Sequence, residues 1–237
     1  MTDPDSSHVE RPPLEESLFD PDDVLPWPKA TDRLVTKGDP DWQNRAMLMH
    51  GVPGDRWVLY ADGYKEAADI VVDRIMDGYG HQDFLVYPVM FLYRQYLELM
   101  IKNLIRNSWS LLDEDENDDL GRHDLRRYWR LCCKLLERVA PGDSTAELNY
   151  VGKLIDEFCD HDPQSFAFRY PETKPDKKTS ERARTLQALD SINLRNVREV
   201  LANVAGLLGA IDASLDHQLS LKADMYANCG PGPESYY

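Results

Sequence analysis

The stretch from Pro88 to Leu112, PVMFLYRQYLELMIKNLIRNSWSLL, constrains this chain more than any other. Its apolar residues recur at helical spacing and cover most of the circumference, while Arg94, Gln95, Glu98, Lys102 and Arg106 gather within about a third of it. A helix of that kind is mostly buried, so other helices must surround it. Steps of four stack Arg94, Glu98 and Lys102 one turn above another. Two readings follow: a solvent strip stitched by i,i+4 ion pairs, or a half-buried strip facing a cleft, where the charges position a phosphate or another anion. Apolar residues crowd both sides of the strip, which favours partial burial.

The segments around it share the same period. Residues 56–78 carry apolar residues at helical spacing and end in glycine, which suits a helix stop. Residues 123–139, HDLRRYWRLCCKLLERV, place Leu125, Tyr128, Trp129, Cys132, Leu135, Leu136 and Val139 on one face. The opposite face carries His123, Arg126, Arg127, Arg130, Lys134 and Arg138. A capping box from Ser144 to Glu147 opens a helix through about residue 159, and a long helix follows over about 189–221. In that helix Leu194, Val197, Leu201, Val204, Leu208, Ile211 and Leu215 form the core stripe. Beside them Ala202, Ala205, Gly206, Gly209 and Ala213 form a strip of small residues that admits another backbone, inside the bundle in preference to across a dimer interface. No segment alternates with period two over strand length, so the expected class is all-α: an up-and-down helical bundle over 56–221.

Residues 1–55 are rich in proline and acids (ERPPLEE, FDPDDVLPWPK) and read as an extended arm, with Trp27 and Trp42 giving it surfaces to pack; residues 222–237 read as a flexible tail. No run of apolar residues approaches a membrane span, and the N-terminus lacks the order of a signal peptide, so a cytoplasmic protein is expected. The net charge of −15 disfavours general nucleic-acid binding. Locally the balance reverses. The run DEDENDD (113–119) holds six acids, whereas residues 122–138 hold six basic residues against two acidic ones. That basic face either engages an RNA backbone or neutralises the acidic loop, and the loop is the preferred partner.

Candidate chemistry is sparse. His123, at a helix start, suits a neutral imidazole and hence a general base, although a surface or capping role is the commoner use. Arg169 lies among the aromatics of FAFRYP (166–171); it either bonds carbonyls at a helix end or adds a second cation to the strip. The four cysteines show no metal or disulfide spacing, and Cys132 and Cys133 read as core fillers. Phosphate loops, dinucleotide fingerprints, zinc-protease motifs and nucleophile elbows have no match, and neither a metal nor a cofactor is expected.

The order of "YPVMFLYRQYLELMIKNLI", "GRHDLRRYW" and "FAFRYPE" before a closing long helix resembles the bacterial branch of the HEPN superfamily (higher eukaryotes and prokaryotes nucleotide-binding), over about residues 56–215. The resemblance implies a helical bundle, a homodimer, and action on RNA or a nucleotide in a defence or toxin–antitoxin system. It also implies a metal-independent endoribonuclease motif, Arg-x(4–6)-His, near a dimer interface, the histidine assisting 2′-hydroxyl attack and the arginine stabilising the phosphate. In the last helix Arg195 and Arg198 are present, but no histidine follows at that distance. Matches at Arg45–His50 and Arg74–His81 occur at the frequency chance gives. A catalytic pair would therefore be His123 with Arg94, and Glu98, Lys102, Arg169, Arg126 and Arg127 would bind. The alternative is a non-enzymatic interaction or adaptor module that holds a protein partner through its acidic arm or loop. An RNA enzyme requires the strip to converge on a positive cleft. An adaptor requires it to be ion-paired internally, with apolar surface exposed in a patch.

Overall fold

The computed structural model describes residues 28–35, 42–48, 56–115, 120–142 and 145–228. Contacts divide the chain between Val52 and Pro53. Of the first unit, residues 28–35 contain a turn in which the Lys29 N–H donates to the Asp32 carboxylate at 2.8 Å, and Trp42–Asn44 form one 3-10 turn. The expected capping box at Ser144, and Trp27, lie outside the described residues.

Among its described residues the second unit is a bundle of five helices: α1 (Arg56–Arg74), α2 (Gln82–Leu111), α3 (Leu125–Val139), α4 (Thr145–His161) and α5 (Leu194–Asn228). Among the described residues there is no strand, only an isolated bridge between Glu172 and Arg184, and no helix is long and apolar enough to cross a membrane. Helix α2 is the axis. From Tyr93 to Ile105 almost every side chain is buried, because α1, α3 and α5 pack around it and α4 packs on α3.

Several boundaries differ from the sequence expectation, among them the start of α5, at Leu194 rather than about residue 189. α1 widens into a π turn, Ile75–Tyr79, and reverses through left-handed residues at Gly78, Gly80 and His81. α2 then begins at Gln82, a turn and a half before Pro88. Pro88 is tolerated inside the helix because it is exposed, so the carbonyl it leaves without an amide can meet water. α3 begins at Leu125, with Asp124 as its cap accepting from the Arg127 amide at 3.0 Å. His123 therefore precedes the helix. Finally, α5 continues through Asn228, so residues 222–228 of the expected flexible tail are helical; there Lys222 donates to the carbonyls of Ser110 and Leu111 at 2.7 and 3.0 Å and closes the C-terminus of α2.

The path is not a plain up-and-down one. Arg122 and His123 lie against Arg94 and Lys102, while Arg138 at the far end of α3 meets Glu114 beyond the end of α2. α3 thus starts beside the middle of α2 and runs in the same direction as its neighbour. α4 runs opposite to α3, with Asp156 and Asp160 at Arg126 and Gly152 beside Trp129.

The core stripe of α5 faces inward as expected, with Leu194, Leu201, Val204, Leu208 and Leu215 buried. The small-residue strip does not. Ala202, Gly206, Gly209 and Ala213 are exposed, and a β-carbon at either glycine would meet nothing within 4 Å. The expected close approach inside the bundle is not made. Instead α5 is tied to α2 by polar groups: Asn103 donates to the buried Asp212 at 2.7 Å, and Asn107 donates to Asp212 and Asp216 at 3.3 and 3.2 Å.

Candidate functional site

Because α2 is enclosed, its polar strip must find partners inside the protein, and the loop entering α3 supplies them. Arg94 is fully buried, Glu98 is 1% exposed and Lys102 6%. Arg94 Nη1 donates to Glu98 Oε2 at 3.0 Å and Nη2 to the His123 carbonyl at 2.6 Å. Lys102 Nζ donates to Glu98 Oε1 at 2.6 Å and to the Arg122 carbonyl at 3.1 Å, and it stands 4.9 Å from the centre of the Tyr128 ring. The Tyr128 hydroxyl donates to the same Arg122 carbonyl at 2.7 Å. One carboxylate and two backbone carbonyls therefore absorb both cations.

Burial alone would push the Glu98 carboxyl up. The hydrogen bond and charge of Lys102, the charge of Arg94 and the hydrogen bond from His123 outweigh it and hold the group below the ordinary carboxylate range. Glu98 is thus an anion, and the His123 Nδ1 that lies 2.9 Å from Oε1 is its donor. In the neutral ring Nε2 is then the acceptor, and the side chain is about half exposed at 53%. Of the four residues in this network, only His123 is substantially exposed. The Nε of Arg94 is buried without a partner.

The structure stacks Arg94, Glu98 and Lys102 as their spacing suggested, but inside the bundle, and brings His123 to them from the loop before α3. It leaves Arg126, Arg127 and Arg169 elsewhere. Arg126 is spent on α4, donating to Asp156 Oδ1 at 2.8 Å, to the Asp156 carbonyl and to Asp160. The Arg127 amide completes the Asp124 cap. Arg138 pairs with Glu114, and that contact joins the basic face to the edge of the acidic run. The three described cysteines behave as core: burial pushes the thiols of Cys132 and Cys159 up, and that of Cys133 to about 11, while Cys229 lies outside the described residues. Among the described residues no cluster of three or more His, Cys, Asp or Glu is placed to hold a metal ion.

Arg169 belongs to a different feature. The long connection 162–193 is built around the buried Asp162, whose Oδ1 accepts from the amides of Phe166 and Ala167 at 2.6 and 2.9 Å. Arg169 Nε donates to the Ser165 carbonyl at 2.5 Å, and its guanidinium lies 5.5 Å from the rings of both Phe91 and Tyr170. Further on, residues 171–185 fold back on themselves, with amide bonds from Thr173 to Ala183, Thr185 to Pro171 and Asp176 to Glu181. Between this loop and the first turns of α2 lies a cavity of about 820 Å³.

Tyr87, Arg184 and Asp190, which line that cavity, were not singled out from the sequence. The basic content of 169–184, six cations against three acids, is a signal that could have found it. A second exposed feature adjoins it. At the α1–α2 reversal Tyr79, His81 and Phe84 follow ring against ring, at 5.6 and 6.1 Å, and Tyr79, Phe84 and Tyr87 are largely exposed.

The chain matches no protein family, no curated protein and no solved structure.

Proposed function

We propose that this protein is a non-enzymatic interaction module on an HEPN-like helical bundle, holding a protein partner through exposed surface rather than cutting RNA. The observation that carries this reading is the sealed strip: Arg94 and Lys102 are consumed by Glu98 and by the carbonyls of Arg122 and His123. A cation that stabilises a scissile phosphate has to reach it, and a fully buried guanidinium does not. The exposed aromatics at the α1–α2 reversal supply the surface such a module needs. A homodimer through the outward small-residue face of α5, and a place in bacterial defence or toxin–antitoxin biology, rest on the resemblance and belong to the same proposal.

A second reading has one specific observation behind it. Glu98 orients His123 by its Nδ1, as a carboxylate orients a general base, and the ring is half exposed. In that case the protein is a metal-independent endoribonuclease with a rearranged site.

The deciding experiment is incubation of the purified protein with labelled single-stranded RNA and tRNA in EDTA, beside His123→Ala. His123 is the informative position, because Arg94→Ala opens a void in the core and confounds chemistry with folding. Intact RNA supports the module. Cleavage that His123→Ala abolishes overturns it in favour of the ribonuclease.

A further inference from the structure

We infer that the cavity between the 162–193 loop and the start of α2 is a binding site for a small aromatic anion, a planar ring bearing a carboxylate or a phosphomonoester. This goes beyond the interaction reading and does not depend on it.

Size comes first. At about 820 Å³ the cavity lies within the roughly 300–1,000 Å³ typical of small-molecule sites. Its walls offer exposed aromatic surface from Tyr87 of α2 and Tyr170 of the loop, with the buried Phe168 behind them. Tyr87 and Tyr170 are each 48% exposed, so both present surface that a ligand ring can cover.

The lining pairs two arginines with two aspartates, and the arginines' spare donors favour an anionic ligand. Both cations of the site come from the folded-back loop. Arg169 is anchored by its Nε on the Ser165 carbonyl and held beside the Phe91 and Tyr170 rings, and among the described residues no group accepts from its two terminal nitrogens. Arg184 is fixed through its backbone by the bridge to Glu172, and its carbonyl accepts from Gln187, while its guanidinium likewise has no acceptor among the described residues. The two segments are tied together, because Thr185 Oγ1 donates to the carbonyls of Tyr170 and Ala167 at 2.7 and 3.2 Å. Two guanidinium forks on adjoining backbone, with donors to spare, fit the oxygens of a carboxylate or phosphate.

Two acids also line the cavity, Asp83 and Asp190. Asp83 stands in the first turn of α2, where the helix dipole favours a negative charge without any ligand. Asp190 has no such role and opposes an anion, which gives the proposal a second, opposite-signed handle.

The test is calorimetric titration of the full chain with phenyl phosphate, benzoate, inorganic phosphate and benzyl alcohol at low salt. At least one aromatic anion is expected to bind saturably, and inorganic phosphate and benzyl alcohol at least tenfold more weakly. Whether phenyl phosphate or benzoate binds tighter names the head group. Arg184→Gln, which removes an exposed side chain that makes no hydrogen bond or ion pair among the described residues, is expected to weaken binding tenfold or more, and Asp190→Asn to tighten it severalfold, both with unchanged circular dichroism. Equal binding of benzyl alcohol overturns the proposal. So does indifference to Arg184→Gln, or the absence of saturable heat from both aromatic anions.

Discussion

Lys102 Nζ donates to Glu98 Oε1 across 2.6 Å with both side chains sealed in the bundle, and the same carboxylate also takes Arg94. Removing the anion leaves two buried cations without a counter-charge, held only by backbone carbonyls and, for Lys102, the Tyr128 ring among the described residues. Glu98→Ala is therefore expected to cost about 3–5 kcal/mol, the range for breaking a buried charge pair. The triple replacement Arg94→Met, Glu98→Leu, Lys102→Met is expected to cost less than Glu98→Ala alone, because it leaves no orphaned charge. Urea denaturation of the two variants checks this, and a triple variant weaker than the single one would show that the network contributes net stability.

The same carboxylate sets an acid limit. Its folded pKa lies below the ordinary value of 4.5, so its contribution is fully present above that value and is lost as pH falls through the lower, folded one. Stability is expected to fall on acidification below about pH 4.5, the ordinary carboxylate value, and Glu98→Gln to flatten that part of the curve. Denaturation midpoints between neutral pH and pH 3, wild type against variant, measure the difference. An unchanged slope in the variant would remove Glu98 from the acid response.

How far these relationships could be read beforehand depends on how local they are. The helices are legible because each buries a face at period 3.6, and the inward set of α3, Leu125, Tyr128, Trp129, Cys132 and Leu135, follows from spacing alone. The i,i+4 pairs at Glu98 are legible for the same reason. The carbonyls of Arg122 and His123 are not, since a backbone acceptor carries no side-chain signature and lies twenty or more residues away. The start of α2 was hidden because Pro88 suits a first turn equally well; only the helical backbone that begins at Gln82 tells the two cases apart. The small residues of α5 told that something could approach closely, without telling which side of the helix the bundle would use.

The start of α3 yields a contrast between neighbours. Asp124 caps the helix through the Arg127 amide, so Asp124→Ala is expected to destabilise the protein by about 1 kcal/mol. His123 keeps its carbonyl on Arg94 whatever its side chain, so His123→Ala loses only the half-exposed contact with Glu98 and is expected to cost less than Asp124→Ala. Thermal unfolding of the two variants ranks them. A larger loss at His123 would mean that its ring, rather than its backbone, anchors the loop.

Three helical glycines separate the single chain from an assembly. Gly206 and Gly209 lie within α5 with open space where a β-carbon would go, whereas a β-carbon at Gly152 in α4 would stand 3.0 Å from Trp129 Nε1. For a single chain, Gly206→Ala and Gly209→Ala are each expected to add about 0.5–1 kcal/mol, by reducing the freedom of the unfolded chain and favouring the helix. Gly152→Ala should gain less or lose stability, since Trp129 is a buried core residue that has to shift. Denaturation at two protein concentrations, with sedimentation of the same samples, completes the test. If both α5 variants stabilise the chain equally at each concentration, the small-residue face is solvent surface. If they destabilise it only at high concentration, and sedimentation shows a dimer lost, then two copies meet along the face that the bundle leaves open.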